Sequence, residues 1–96
     1  MRRHEALALL QSHTADLRRF RVQSLRLFGS VARDEAAEDS DVDLLVSFWG
    51  SASYSNYMKL RIFLEDLLQM RVDLVTEGGL RDRVRPYVER EAIHVA

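Results

Sequence analysis

Strand-like and helix-like patterns take turns along this chain, and that alternation limits the fold more than any other feature. Residues 24–28, 41–48 and 71–76 are short, mostly apolar and β-prone. Helical patterns over residues 4–19, 31–37, 54–70 and 80–90 lie between and around them. In 54–70, Leu60, Phe63, Leu64, Leu67 and Leu68 make one apolar stripe, while Lys59, Arg61, Glu65, Asp66 and Gln69 cover the rest. Leu7, Leu10, Thr14 and Leu17 mark one face of the first helix, with Arg18 and Arg19 suited to the negative end of its dipole. Ser30 stands where it would cap 31–37, and Pro86 where it would kink or restart 80–90. Residues 49–53 read as a loop and 92–95 as a short last strand. The fold class expected is α/β (α+β), a small mixed β-sheet with helices packed on it, in one domain over residues 1–96.

Composition removes several functions. The net charge is -1, and coating a nucleic acid needs a clear basic excess, so no stable nucleic-acid binding is expected. There is no cysteine, hence no disulfide, zinc-thiolate or thiol chemistry. No apolar run approaches the ~20 residues of a membrane span. Residues 1–5 lead into a helical pattern with no signal peptide, and the chain reads as cytoplasmic.

The chemistry concentrates on acids placed in strands. In Asp41-Val42-Asp43, side chains at i and i+2 of a strand share a face, with Cα atoms roughly 7 Å apart. Val42, Leu44 and Val46 take the apolar face, and Asp41, Asp43, Leu45 and Ser47 the other. Two like charges so close repel unless a cation lies between them, and carboxylates are hard ligands suited to Mg²⁺ or Mn²⁺. Asp73, in Val72-Asp73-Leu74-Val75, is one acid in a second apolar strand. Were the two strands neighbours, three carboxylates would converge, enough for two ions about 4 Å apart. Gly29-Ser30 ends the first strand and opens a short helix, where a close backbone and free N–H groups suit phosphate. Taken singly, each feature has a plainer reading: a turn with its cap, a solvated acidic loop, or an Asp73 paired with Arg71 or Arg26. Their order along strand ends is what one site would require.

The spacing Gly29-Ser30, ten residues, Asp41-Val42-Asp43 resembles the signature of the minimal nucleotidyltransferases, members of the polymerase-β-like nucleotidyltransferase superfamily. The flanks, residues 27–33 and 40–46, and the segment 72–75 are similar too. The resemblance implies a polymerase-β-like palm. It implies that Asp41, Asp43 and Asp73 are catalytic and bind metal, two Mg²⁺ ions or Mn²⁺, with Asp73 assisting deprotonation of the attacking hydroxyl. It implies that Gly29 and Ser30 contact the phosphates of ATP. It further implies an antitoxin of the HEPN/MNT toxin–antitoxin type, adenylylating a tyrosine of a helical HEPN-domain ribonuclease.

Other residues are read more plainly. Arg33 and Lys59 are surface side chains within reach of a phosphate. Phe48, Trp49, Tyr54 and Tyr57 close one end of the core, with Trp49 the foremost partner contact. His4, His13 and His94 are scattered, and residues 34–39 make a solvated acidic turn. Arg81, Arg83, Arg85 and Arg90 are offset by Asp82, Glu89 and Glu91 on a solvated helix. Two other functions stay open: a non-catalytic module that neutralises its partner by occlusion, and nucleotidyl transfer to a small molecule or an RNA end.

Overall fold

The computed structural model describes residues 1–51 and 53–96. Ala52, in the expected loop, lies outside the described residues. A four-stranded mixed sheet has the order β3-β2-β1-β4. Its strands are β1 (Val22–Phe28), β2 (Val42–Phe48), β3 (Val72–Thr76) and β4 (Ile93–His94). β1 runs antiparallel to β2 and to β4, whereas β2 and β3 are parallel. A parallel pair needs a crossover, and α4 (Tyr54–Leu68) supplies it.

Two apolar faces explain the layering. Leu25, Leu27, Val42, Leu44, Val46, Val72 and Leu74 point to one side of the sheet and meet Ala6, Leu10, Leu17, Leu60, Leu64 and Leu68. The helices that carry those partners are α1 (Arg3–Gln11), α2 (Thr14–Arg19) and α4. On α4 the residues 60, 64 and 68 recur at one-turn spacing, and Phe63 and Leu67 flank them. The other side of the sheet carries a smaller cluster of Leu45, Leu80 and Val88, with Phe28, Val75 and Ala92 against it. Leu45 was expected on the face of the acids, opposite the apolar one. It is buried because α5 (Arg85–Glu91) folds over it.

Helix boundaries differ from expectation in three places. The first helix is two helices. Ser12 Oγ bonds back to the Leu9 carbonyl, and His13 leaves helical geometry at φ -121° to precede α2. The short helix α3 (Gly29–Ala32) starts at Gly29, so Ser30 lies inside it and Phe28 is its cap. It stops early because Asp34 turns left-handed at φ 62°. Residues 80–90 are not one helix. A 3₁₀ turn at Glu77–Gly79 comes first, and α5 begins only at Arg85, with Pro86 in its first turn, where a missing N–H is harmless.

The acidic segment after α3 is tied down as well as solvated. Asp34 accepts from the Arg3 backbone N–H at 3.0 Å and pairs with Arg2 at 3.3 Å. Those contacts hold its carboxyl below the usual range. Among the described residues, no helix is long and apolar enough to cross a membrane.

α4 ends on Gln69, which adopts φ 54°, ψ 36°, a conformation that glycine takes without the side-chain penalty. Gln69→Gly is therefore expected to raise stability by about 0.5–1 kcal/mol. Thermal melting tests this, and a lower melting temperature would contradict it.

Candidate active site

The turn after β1 sets the site. Phe28 is fully extended, and Gly29 then swings to φ +74° to begin α3. Phe28 is the register partner of Asp43 on β2, so this turn lands directly on the Asp43 side chain. A Cβ built on Gly29 would fall on the Asp43 carboxylate. Glycine is thus required here twice, for its dihedral angles and for its closeness to Asp43.

Across β2 from that turn, Asp43 faces Asp73. The two are register partners in the parallel β2–β3 pair, so their side chains leave the same face side by side. Asp43 is half-buried and Asp73 exposed. The Asp43 carboxyl is pushed up to about 6, first by burial, then by the charge of Asp73 and a hydrogen bond with it, then by the charge of Asp41. Arg33 opposes the rise. Two carboxylates thus stand side by side, and burial and like charge both disfavour the ionised Asp43. That is the donor chemistry of a hard divalent cation, so the residues present fit one.

Asp41 stands one residue before β2, not within it. It is exposed and its carboxylate pairs with Arg71 Nε at 3.1 Å. An exposed pair is worth at most about 1 kcal/mol, so this is a weak hold. In this arrangement Asp43 and Asp73 are together and Asp41 is turned aside. Among the described residues, no three carboxylate or imidazole groups are gathered closely enough to hold a metal jointly. Arg71 serves Asp41 and Arg26 serves Glu77 at 2.6 Å, so neither is drawn to Asp73 as a partner.

Glu91 is the site neighbour that sequence reasoning passed over. Its Oε1 accepts from the Gly29 N–H at 2.9 Å and its Oε2 from the Arg33 guanidinium at 2.8 Å. Those two donors hold the carboxyl low despite its partial burial. Arg33 also pairs with Glu35 at 3.3 Å. The C-terminal helix is therefore not simply solvated. Val88 is buried, and Arg85 binds Glu77, which also binds Arg26. The pattern Glu89-Arg90-Glu91 gave no local sign of a contact 62 residues away.

Ser30 is half-buried in the first turn of α3, and its carbonyl accepts from Glu35 N–H. The aromatics divide. Phe48 and Tyr57 pack on the core, and the Tyr57 hydroxyl donates to the Leu74 carbonyl at 2.6 Å. Trp49 and Tyr54 are 60% and 77% exposed. With Arg21, Phe48 and Lys59, Trp49 lines a cavity of about 340 Å³ at the far end of β2. By the strand rise that is roughly 17 Å from Asp43, so these aromatics do not flank the carboxylates. His94 lies in β4 opposite Arg26, and the His13 ring rests near Phe63.

A family model described as a nucleotidyltransferase domain matches residues 12–95. The chain is 42% identical over 92 residues to the protein adenylyltransferase MntA of Thermococcus cleftensis, covering 95% of this chain and 93% of that one. A solved structure provisionally described as a minimal nucleotidyltransferase is 43% identical, with TM-score 0.84, over 97% of this chain and 95% of that one. A chain in the structure of a tri-AMPylated Shewanella oneidensis HEPN toxin in complex with MNT antitoxin shares the fold at TM-score 0.67. Its identity is 20%, over 94% of this chain and 71% of that one. The chain belongs to the nucleotidyltransferase family and is an enzyme of that class.

Two outcomes follow from the geometry. Gly29→Ala forces a side chain onto the Asp43 carboxylate in a left-handed conformation, and should cost about 2 kcal/mol or more. Denaturant unfolding measures it, and unchanged stability would show that the turn relaxes freely. The second concerns pH. Folded Asp43 binds its proton more tightly than the usual 3.8 carboxyl of an unfolded chain. The stabilisation this gives is complete below pH 3.8 and is lost as pH rises through about 6. In metal-free buffer at pH 7, Asp43→Asn should therefore be more stable than wild type, by about 1 kcal/mol after solvent screening is allowed for. The gap should narrow towards pH 4, and melting curves across that range would show it; a gap that widens on acidification would contradict the assignment.

Proposed function

We infer that the chain transfers AMP from ATP, with Mg²⁺ or Mn²⁺, to a tyrosine of a protein partner, and that the partner is a helical HEPN-domain ribonuclease toxin. The observation that carries this reading is the Asp43–Asp73 pair on adjacent parallel strands, with the Gly29 turn packed against Asp43. The similarity to a protein adenylyltransferase supports a protein as acceptor. The shared fold with a chain from a toxin–antitoxin complex supports the class of partner. We take residues 1–96 to act as one domain.

In this reading Asp43 and Asp73 hold the metals, and Asp41 joins them on leaving its weak pair with Arg71. When bound, two divalent ions neutralise the triphosphate and favour ionisation of the acceptor hydroxyl. Gly29 lets the backbone approach the phosphates, and Ser30 offers its hydroxyl in the first turn of α3. Asp73, the more exposed carboxylate, faces the incoming acceptor and takes its proton. The acceptor oxygen then bonds to the α-phosphorus in line with the bond to the bridging oxygen. That bond breaks and pyrophosphate leaves with its electron pair. The chain contributes positioning and fixed charge.

The test is the intact mass of the partner after co-expression with wild type and with Asp41→Asn/Asp43→Asn. Wild type should add one or more adenylyl groups. The double variant should lose at least about a thousandfold in rate. Equal modification by a folded double variant would sink the metal assignment. Unmodified partner that still co-purifies and stays neutralised would favour occlusion instead. Transfer by the isolated chain to small acceptors or RNA ends, without the partner, would favour the remaining alternative.

A further inference from the structure

Glu91 is placed where helix electrostatics disfavours it. It ends α5, and an acid at a helix C-terminus meets the negative end of the dipole. Its side chain is only 26% exposed, so partial desolvation adds to that cost. What holds it there is the pair of donors already described, the Gly29 N–H on Oε1 and the Arg33 guanidinium on Oε2. Nor can the carboxylate drift away, because α5 is anchored on both sides. Val88 sits in the cluster under Leu45, and Arg85 is tied through Glu77 to Arg26 on β1.

We propose that Glu91 is a positioning residue for triphosphate binding, fixing from the far end of the chain both the Gly29 peptide and the Arg33 guanidinium. The proposal rests on the nucleotide site inferred above. The peptide between Phe28 and Gly29 must present its N–H in one direction for Gly29 to take its left-handed turn against Asp43. An acceptor on that N–H holds the direction. Without Glu91, a half-buried donor loses its partner and the turn is free to relax. Arg33 would keep only the exposed Glu35. Held by Glu91 instead, it stays fixed beside the Gly29 turn.

The experiment is equilibrium binding of a non-hydrolysable ATP analogue with Mg²⁺, and separately of adenosine, to the full chain and to Glu91→Gln. Glutamine keeps the size but can accept from only one of the two donors. Triphosphate affinity should fall about tenfold, as for loss of a charge-assisted contact, while adenosine affinity stays the same. The amide resonance of Gly29 should also move, which reports the turn without any ligand. Unchanged or tighter triphosphate binding by Glu91→Gln would overturn the proposal, the latter by marking Glu91 as a competitor for the phosphate position. Equal losses for both ligands would overturn it too, because they indicate a general structural role. If Glu91→Gln does not fold, Glu91→Asp, one methylene short of spanning both donors, is measured with the same expectation. Failure of wild type to bind the triphosphate would remove the nucleotide site itself and this proposal with it.

Discussion

The contact between the Gly29 backbone and the Asp43 carboxylate governs the rest of the site. It exists because β1 and β2 are antiparallel and Phe28 is in register with Asp43, so the exit from β1 passes over that side chain. A residue with a Cβ cannot make this passage. On the other side of β2 at this position stands Asp73, so Asp43 lies between the Gly29 turn and a second carboxylate. One close approach thus fixes the turn and the start of α3 against the Asp43 carboxylate.

The sheet serves two purposes on its two faces. One face is given to the main core, where α1, α2 and α4 cover it with Leu and Val side chains. The other is half covered. α5 and Leu80 bury Leu45, Phe28 and Val75, and the acids Asp43 and Asp73 lie beside that cover. Because side chains alternate along a strand, the same β2 and β3 residues that fill the core force their neighbours onto the site face. Val42 and Leu44 bracket Asp43, and Val72 and Leu74 bracket Asp73. The carboxylates cannot turn inward without flipping each strand's apolar set to the wrong side.

What was legible in sequence was what local pattern encodes. The stripe on 54–70 became α4, and the alternation around Asp43 and Asp73 became two neighbouring strands with both acids on one face. Gly29-Ser30 was found at the end of β1 as spacing suggested. The misses share a cause, which is that they depend on contacts distant in sequence. Leu45 was read only as sharing the face of the acids, because nothing local says that α5 returns to cover it. Glu91 looked like a surface charge because its partners are 62 and 58 residues away. Asp41 was placed in the strand by its flanks, yet it precedes β2 and is drawn to Arg71. The break at Ser12 and His13 rests on side-chain bonds that compete with the helix and leave little trace in hydrophobic periodicity.

The charges around the site are distributed unevenly, and the unevenness bears on how a triphosphate would enter. Arg71 is committed to Asp41, and Arg33 to Glu91 and Glu35, so the nearby cations are largely matched by acids. Asp43 and Asp73 stand side by side, and burial together with the charge of Asp73 raises the Asp43 carboxyl. On the nucleotide reading, a bare triphosphate meets net negative charge and is repelled. A divalent ion meets two carboxylates whose repulsion it removes, and a proton on Asp43 competes with it. Near neutral pH that proton is mostly gone, so the cost of placing the ion is small. The order that follows physically is cation with or before nucleotide, since the ion reverses the sign of the field that the phosphates must enter.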